Sequence, residues 1–135
     1  MRRAGAYLER VTGGRYTRLE YRGEGDDGEL QVAGPVLDEP QPVGPPLSRG
    51  TLDQIHLCLR LGFLDHLDED RETLPLILDD ALLRMDDRRR QEVYGLLREM
   101  GTRRQTFLLT CNGAIADEAE RALGVSRVSL AAPPS

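Results

Sequence analysis

Apolar and polar residues along this chain follow changing periods, and each period predicts an element. Residues 4–12 place Tyr7, Leu8 and Val11 on one face, as in a short helix ended by Gly13 and Gly14. Residues 15–21 alternate, with Tyr16, Arg18 and Glu20 interleaved with Thr17, Leu19 and Tyr21, which is a strand pattern. Residues 23–28 are rich in Gly and Asp and read as a loop, with residues 29–33 as the return strand of a hairpin. Residues 34–46 hold five prolines and two glycines and read as an irregular, exposed connector.

The second part of the chain is more regular. From residue 52 to 67 the apolar positions Leu52, Ile55, Leu57, Cys58, Leu59, Leu61, Phe63, Leu64 and Leu67 cover more than one helix face. Such a helix is expected to lie buried between layers. Residues 65–73 are acidic and polar, a loop, and residues 74–78 are a continuous apolar run, as in a central parallel strand. Asp86 or Asp87 can cap the next helix, whose apolar positions Val93, Leu96, Leu97 and Met100 follow helical spacing up to Gly101. Residues 106–109 read as a second buried strand, 114–123 as a helix stopped by Gly124, 125–130 as a last strand and 131–135 as a tail. The expected class is α/β, a mostly parallel sheet with crossover helices preceded by a β-hairpin. There is no internal repeat. One domain over residues 1–135 is expected, with a helix, hairpin and Pro-rich connector to residue 46 and the α/β part over 47–135.

Composition narrows the classes. At 135 residues the chain is long enough to bury a core. Its net charge of −5 argues against a strongly basic nucleic-acid binder, although arginines cluster at Arg88-Arg89-Arg90 and Arg103-Arg104. The first of these clusters reads as a solvated face at a helix start. No apolar run approaches the ~20 residues that span a bilayer. Met1-Arg2-Arg3-Ala4 has no apolar signal core behind it, and the expected location is the cytoplasm. Cys58 and Cys111 stand singly in apolar surroundings, as reduced, buried thiols. His56 and His66 read as ordinary helix residues with no metal implied.

Two stretches carry chemistry. Leu47-Ser48-Arg49-Gly50-Thr51 is a Ser/Gly turn opening a helix, where free N–H groups and the helix dipole favour an anion such as phosphate. Such turns also open many helices as plain N-caps. The apolar run 74–78 ends in Asp79 and Asp80, two carboxylates at the strand end where open α/β sheets bind ligands. A pair of acids there needs cations or hydrogen bonds to satisfy it.

In this order and spacing the two stretches resemble the signature motif, Walker B strand and D-loop of an SMC-like ABC ATPase head, of the branch that includes SbcC and YhaN. The variant Leu47-Ser48-x-Gly50-Thr51-x-x-Gln54, continued by Leu57-Cys58-Leu59-Arg60-Leu61-Gly62, resembles the YhaN-like form. The likeness is good over residues 47–112 and looser over 5–33, and it matches only the C-terminal lobe of a head.

The resemblance implies ATP and Mg²⁺ as cofactors. It implies that Asp79 holds Mg²⁺ and that Asp80, where the family carries Glu, orients the attacking water. It implies that Ser48, Arg49, Gly50 and Thr51 contact ATP of an opposing head in trans, glycine letting the backbone approach the γ-phosphate. Asp86 falls at the D-loop position, and the family's switch histidine is replaced at Cys111 or Asn112. Arg60 would couple the signature helix to the rest of the head. Arg49, Asp80 and Asn112 depart from the family pattern.

The sequence contains no Gly-x-x-x-x-Gly-Lys-Ser/Thr, so it lacks the phosphate-cradling half of an ATP site. The implied partners are a Walker A-bearing N-terminal lobe, a second head in an ATP-dependent dimer, and DNA with a nuclease. No membrane is implied. The competing reading is a non-catalytic interaction module that keeps the head fold.

Overall fold

The computed structural model describes residues 1–68 and 72–130. Helix α1 spans Arg2–Val11 and buries Ala4, Gly5, Leu8 and Val11. Its expected face holds, with Tyr7 at the margin and half-buried. The hairpin forms as expected. Strands β1 (Arg18–Arg22) and β2 (Glu29–Ala33) are antiparallel, with Leu19 opposite Val32 and Tyr21 opposite Leu30. Leu19 and Val32 point into the core. The connector is not wholly irregular, because Gln41–Pro42 forms a two-residue strand, β3, on the free edge of β2. Pro42 has no N–H to give, which suits an edge position.

Helix α2 spans Arg49–Leu67, so the expected loop begins later than residue 65; residues 69–71 of that loop lie outside the described residues. It is not buried between layers. One side packs on α1 and buries Ile55, Leu57, Cys58 and Leu61, while Phe63 stays 61% exposed. The helices meet closely at Gly62, where a Cβ would stand 2.8 Å from the Ala4 backbone nitrogen. Only glycine permits that approach. Gln54, fully buried, donates to the Val11 carbonyl at 2.8 Å and so satisfies the end of α1.

Strands β4 (Leu76–Asp79) and β5 (Thr106–Leu109) are parallel and in register, Leu76 opposite Thr106 and Asp79 opposite Leu109. Helix α3 (Asp87–Gly101) connects them, burying Val93, Tyr94, Leu96, Leu97 and Met100 as its spacing predicts. Helix α4 (Gly113–Leu123) follows and ends at Gly124.

Two expectations fail here for one reason. Neither strand is buried on both faces: Leu76 and Leu78 are covered, but Ile77 is 62% exposed and Phe107 and Leu109 are about as exposed as a half-open surface allows, at 43% and 41%. Residues 125–130 also join no sheet and are no strand, leaving Val125, Val128 and Leu130 exposed. An apolar run becomes a doubly covered strand only where layers exist on both sides. Among the described residues the parallel sheet has two strands and is covered on one side. The tail 131–135 lies outside the described residues. Among the described residues no helix is long and apolar enough to cross a membrane.

Candidate functional site

The residues singled out by sequence fall into two polar clusters. The first joins the starts of α2 and α3. Ser48 is the N-cap of α2, its hydroxyl accepting the Thr51 N–H at 3.2 Å and lying 2.9 Å from Thr51 Oγ1. Ser48 and Arg49 are exposed, whereas Gly50 and Thr51 are buried. Asp86 is the N-cap of α3, accepting the Arg89 N–H at 2.9 Å. Arg89 reaches back to Thr51 Oγ1 at 3.4 Å. Arg84 Nε and Asp53 Oδ2 lie 3.7 Å apart and tie α2 to the turn before α3. The turn from Ala81 to Met85 is anchored by the buried side chains of Leu82 and Met85.

The arginine run is therefore not a solvated face. Arg88 is exposed, but Arg90 is 15% exposed, with its Nε 2.7 Å from Glu118 Oε2. Tertiary partners on α2 and α4 hold Arg89 and Arg90, and nothing in the run itself reveals them.

The second cluster lies at the C-terminal ends of β4 and β5. Asp80 Oδ1 accepts the Thr110 hydroxyl at 2.9 Å and the Cys111 N–H at 3.2 Å, and Oδ2 accepts the Cys111 thiol at 3.3 Å. These bonds, the Thr110 hydroxyl first, hold the Asp80 carboxyl below its ordinary pKa. The same contact raises the Cys111 thiol above its ordinary value. Asp80 has φ of +46°, the left-handed region that Asp tolerates better than most residues. Asn112 caps α4, its Oδ1 accepting the Ile115 N–H at 3.1 Å, so its side chain is engaged in its own helix. Cys111 is exposed, contrary to the expectation of a buried thiol, because the strand end carries it out of the sheet; Cys58 is buried as expected.

Asp79 is exposed, and its carboxylate makes no hydrogen bond or ion pair among the described residues. One carboxylate completed by water and phosphate oxygens fits Mg²⁺, which rarely takes an all-protein cage. Among the described residues no group of three or more His, Cys, Asp or Glu could hold a metal by itself. Among the described residues Ser48 and Gly50 make no hydrogen bond to Asp79 or Asp80.

Sequence reasoning missed three groups: Thr110 and Cys111 as partners of Asp80, Arg89 as partner of Thr51, and a buried ionic cluster. In the last, Arg104, its side chain 2% exposed, binds Asp65 at 2.9 Å and also Asp68. Tyr7 donates to Asp65 and so adds α1 to the cluster. The pair Arg103-Arg104 just before the apolar run 106–109 was the available signal.

No protein-family model and no curated protein matches this chain. Solved structures do. The Smc head domain with an extended coiled coil from Pyrococcus furiosus, bound to the C-terminal domain of ScpA, matches 88% of this chain with a TM-score of 0.65 and 14% identity. The Smc head domain with a coiled coil and joint from Pyrococcus yayanosii matches 82% with a TM-score of 0.63 and 12% identity. A structure from work on ATP-driven dimerisation and DNA-stimulated activation of SMC ATPases matches 84% with a TM-score of 0.57 and 12% identity. The chain spans 29%, 21% and 70% of those three chains, respectively. At these identities the likeness speaks for fold alone: among the described residues, four α-helices, a small antiparallel sheet and a parallel sheet arranged as in part of an SMC ATPase head.

Proposed function

We propose that this chain is the C-terminal lobe of an SMC-like ATPase head of the SbcC/YhaN type, binding and hydrolysing ATP together with a Walker A-bearing lobe. One observation carries the reading. Asp79 and Asp80 stand at the C-terminal end of a parallel sheet whose outer face, Ile77, Phe107 and Leu109, is bare. Site and sheet are incomplete together, and a second lobe completes both.

In this reading Asp79 holds Mg²⁺, which when bound neutralises phosphate charge. Asp80 orients the attacking water. Ser48, Arg49, Gly50 and Thr51 meet the nucleotide of the opposing head, Asp86 lies at the D-loop, and Asn112 stands at the switch position. The ATP-driven work is DNA processing or repair in the cytoplasm, with DNA and a nuclease as partners.

A non-catalytic interaction module is the second reading, and one observation favours it. Both carboxylate oxygens of Asp80 already accept bonds from Thr110 and Cys111, so a water shares a carboxylate that is already committed to its own lobe.

The test is turnover and ATP-dependent dimerisation of the chain joined to a Walker A lobe. Asp80→Asn should abolish turnover and leave ATP binding and dimerisation intact. Ser48→Arg should leave ATP binding intact and abolish dimerisation. Wild-type turnover by Asp80→Asn, together with normal dimerisation by Ser48→Arg, makes the interaction module the better account.

A further inference from the structure

Arg89 stands at the third position of α3, where Glu or Gln commonly returns to the cap. A positive charge there opposes the helix dipole. Its side chain is nevertheless held, 25% exposed, with Nη1 3.6 Å from Asp86 Oδ2 and Nη2 3.4 Å from Thr51 Oγ1. Thr51 Oγ1 in turn lies 2.9 Å from Ser48 Oγ. A polar chain thus runs from Asp86 through Arg89 and Thr51 to Ser48. Beside it, a Cβ on Gly50 would stand 2.5 Å from Arg89 Nη1 and 3.5 Å from Cζ. That is closer than real Cβ atoms come. The guanidinium is the far end of a flexible side chain, so a side chain at residue 50 would push it aside, and the cost is the loss of its contacts with Thr51 and Asp86.

We propose that Arg89 is a positioning residue that fixes the turn Ser48–Thr51 to Asp86, and that residue 50 is glycine to admit its guanidinium. The geometry stands by itself; its use in ATP-dependent dimerisation rests on the ATPase reading above. In that dimer Ser48 and Asp86 both face the opposing head, and Arg89 keeps them at one spacing, so that they engage together. The glycine then also serves a neighbour within the lobe.

The test is a double-mutant cycle of Gly50→Ala and Arg89→Ala. In thermal melts of the chain, Gly50→Ala should lower Tm in the wild-type background. With Arg89→Ala in place it should raise Tm, because only the helix preference for alanine remains. In the complex with a Walker A lobe, each single change should raise the ATP concentration for half-maximal dimerisation about tenfold, the scale of one charge-assisted hydrogen bond. The double variant should be no worse than either. Arg89→Lys, which cannot span both partners, should behave as Arg89→Ala. Additive effects in the melts, or equal harm from Gly50→Ala with and without Arg89, overturn the proposal. If the melts show the coupling but the wild-type complex does not dimerise with ATP, the Arg89–Gly50 arrangement stands and the ATPase reading falls.

Discussion

The Thr110 hydroxyl donates to Asp80 Oδ1 at 2.9 Å and ties the end of β5 to the end of β4. This bond is the largest cause of the depressed Asp80 pKa. A depressed carboxyl adds stability above its unfolded pKa and loses it as pH falls through the folded value. Thr110→Val should therefore raise the Asp80 pKa towards the ordinary carboxylate range. The gap in stability between wild type and Thr110→Val should close in acid. Carbon-13 NMR of the Asp80 carboxyl, with urea melts at several pH values, measures both.

By itself the chain should not bind Mg-ATP tightly, since no loop in its sequence cradles the β- and γ-phosphates. Calorimetry on the purified chain checks this, and micromolar binding would contradict the half-site reading.

The bare face of the parallel sheet should drive self-association. Ile77 and Phe107 sit side by side in register, both largely exposed, on a sheet with open edges. Ile77→Lys with Phe107→Glu should shift the isolated chain towards monomer in analytical ultracentrifugation and leave its circular dichroism unchanged. In the complex with a Walker A lobe the same pair should weaken assembly.

The two cysteines should react very differently. Burial pushes the Cys58 thiol up to about 12, so its thiolate is absent near neutral pH and its sulfur is out of reach. Cys111 is exposed but held in its thiol form by Asp80. Mass spectrometry after iodoacetamide should show Cys111 modified first and Cys58 only on unfolding. Asp80→Asn should speed the reaction at Cys111. Because the Cys58 pKa is raised, its contribution to stability is complete below the unfolded thiol pKa and declines as pH rises above it.

Arg104→Met should destabilise the chain by about 3 kcal/mol, because Asp65 and Asp68 lose their shared cation and Asp65 stays buried. Urea melts measure the loss. The opposite result, a neutral or stabilising change, would show that the cluster adds nothing to stability.

Much of this protein is determined locally and is legible without coordinates. Ser48 and Asp86 cap the helices they precede, because a cap needs only a short side chain and an N–H three residues on. Val93, Leu96, Leu97 and Met100 are buried because helical spacing puts them on one face. Leu19 meets Val32 because a hairpin register follows from its turn. Tertiary structure decided what depends on partners distant in sequence. Ile77 and Phe107 are as apolar as any core residue, yet their burial needs a layer that the described residues do not supply. Residues 125–130 have a strand's composition but join no sheet, and Arg127 is held by Glu120 and Asp117 instead. Arg89, Arg90 and Arg104 look alike along the chain, but Thr51, Glu118 and the pair Asp65 and Asp68 set their roles from 28 to 39 residues away. Side-chain periodicity encodes which face of an element turns inward, and only the packed chain brings the groups that then meet there.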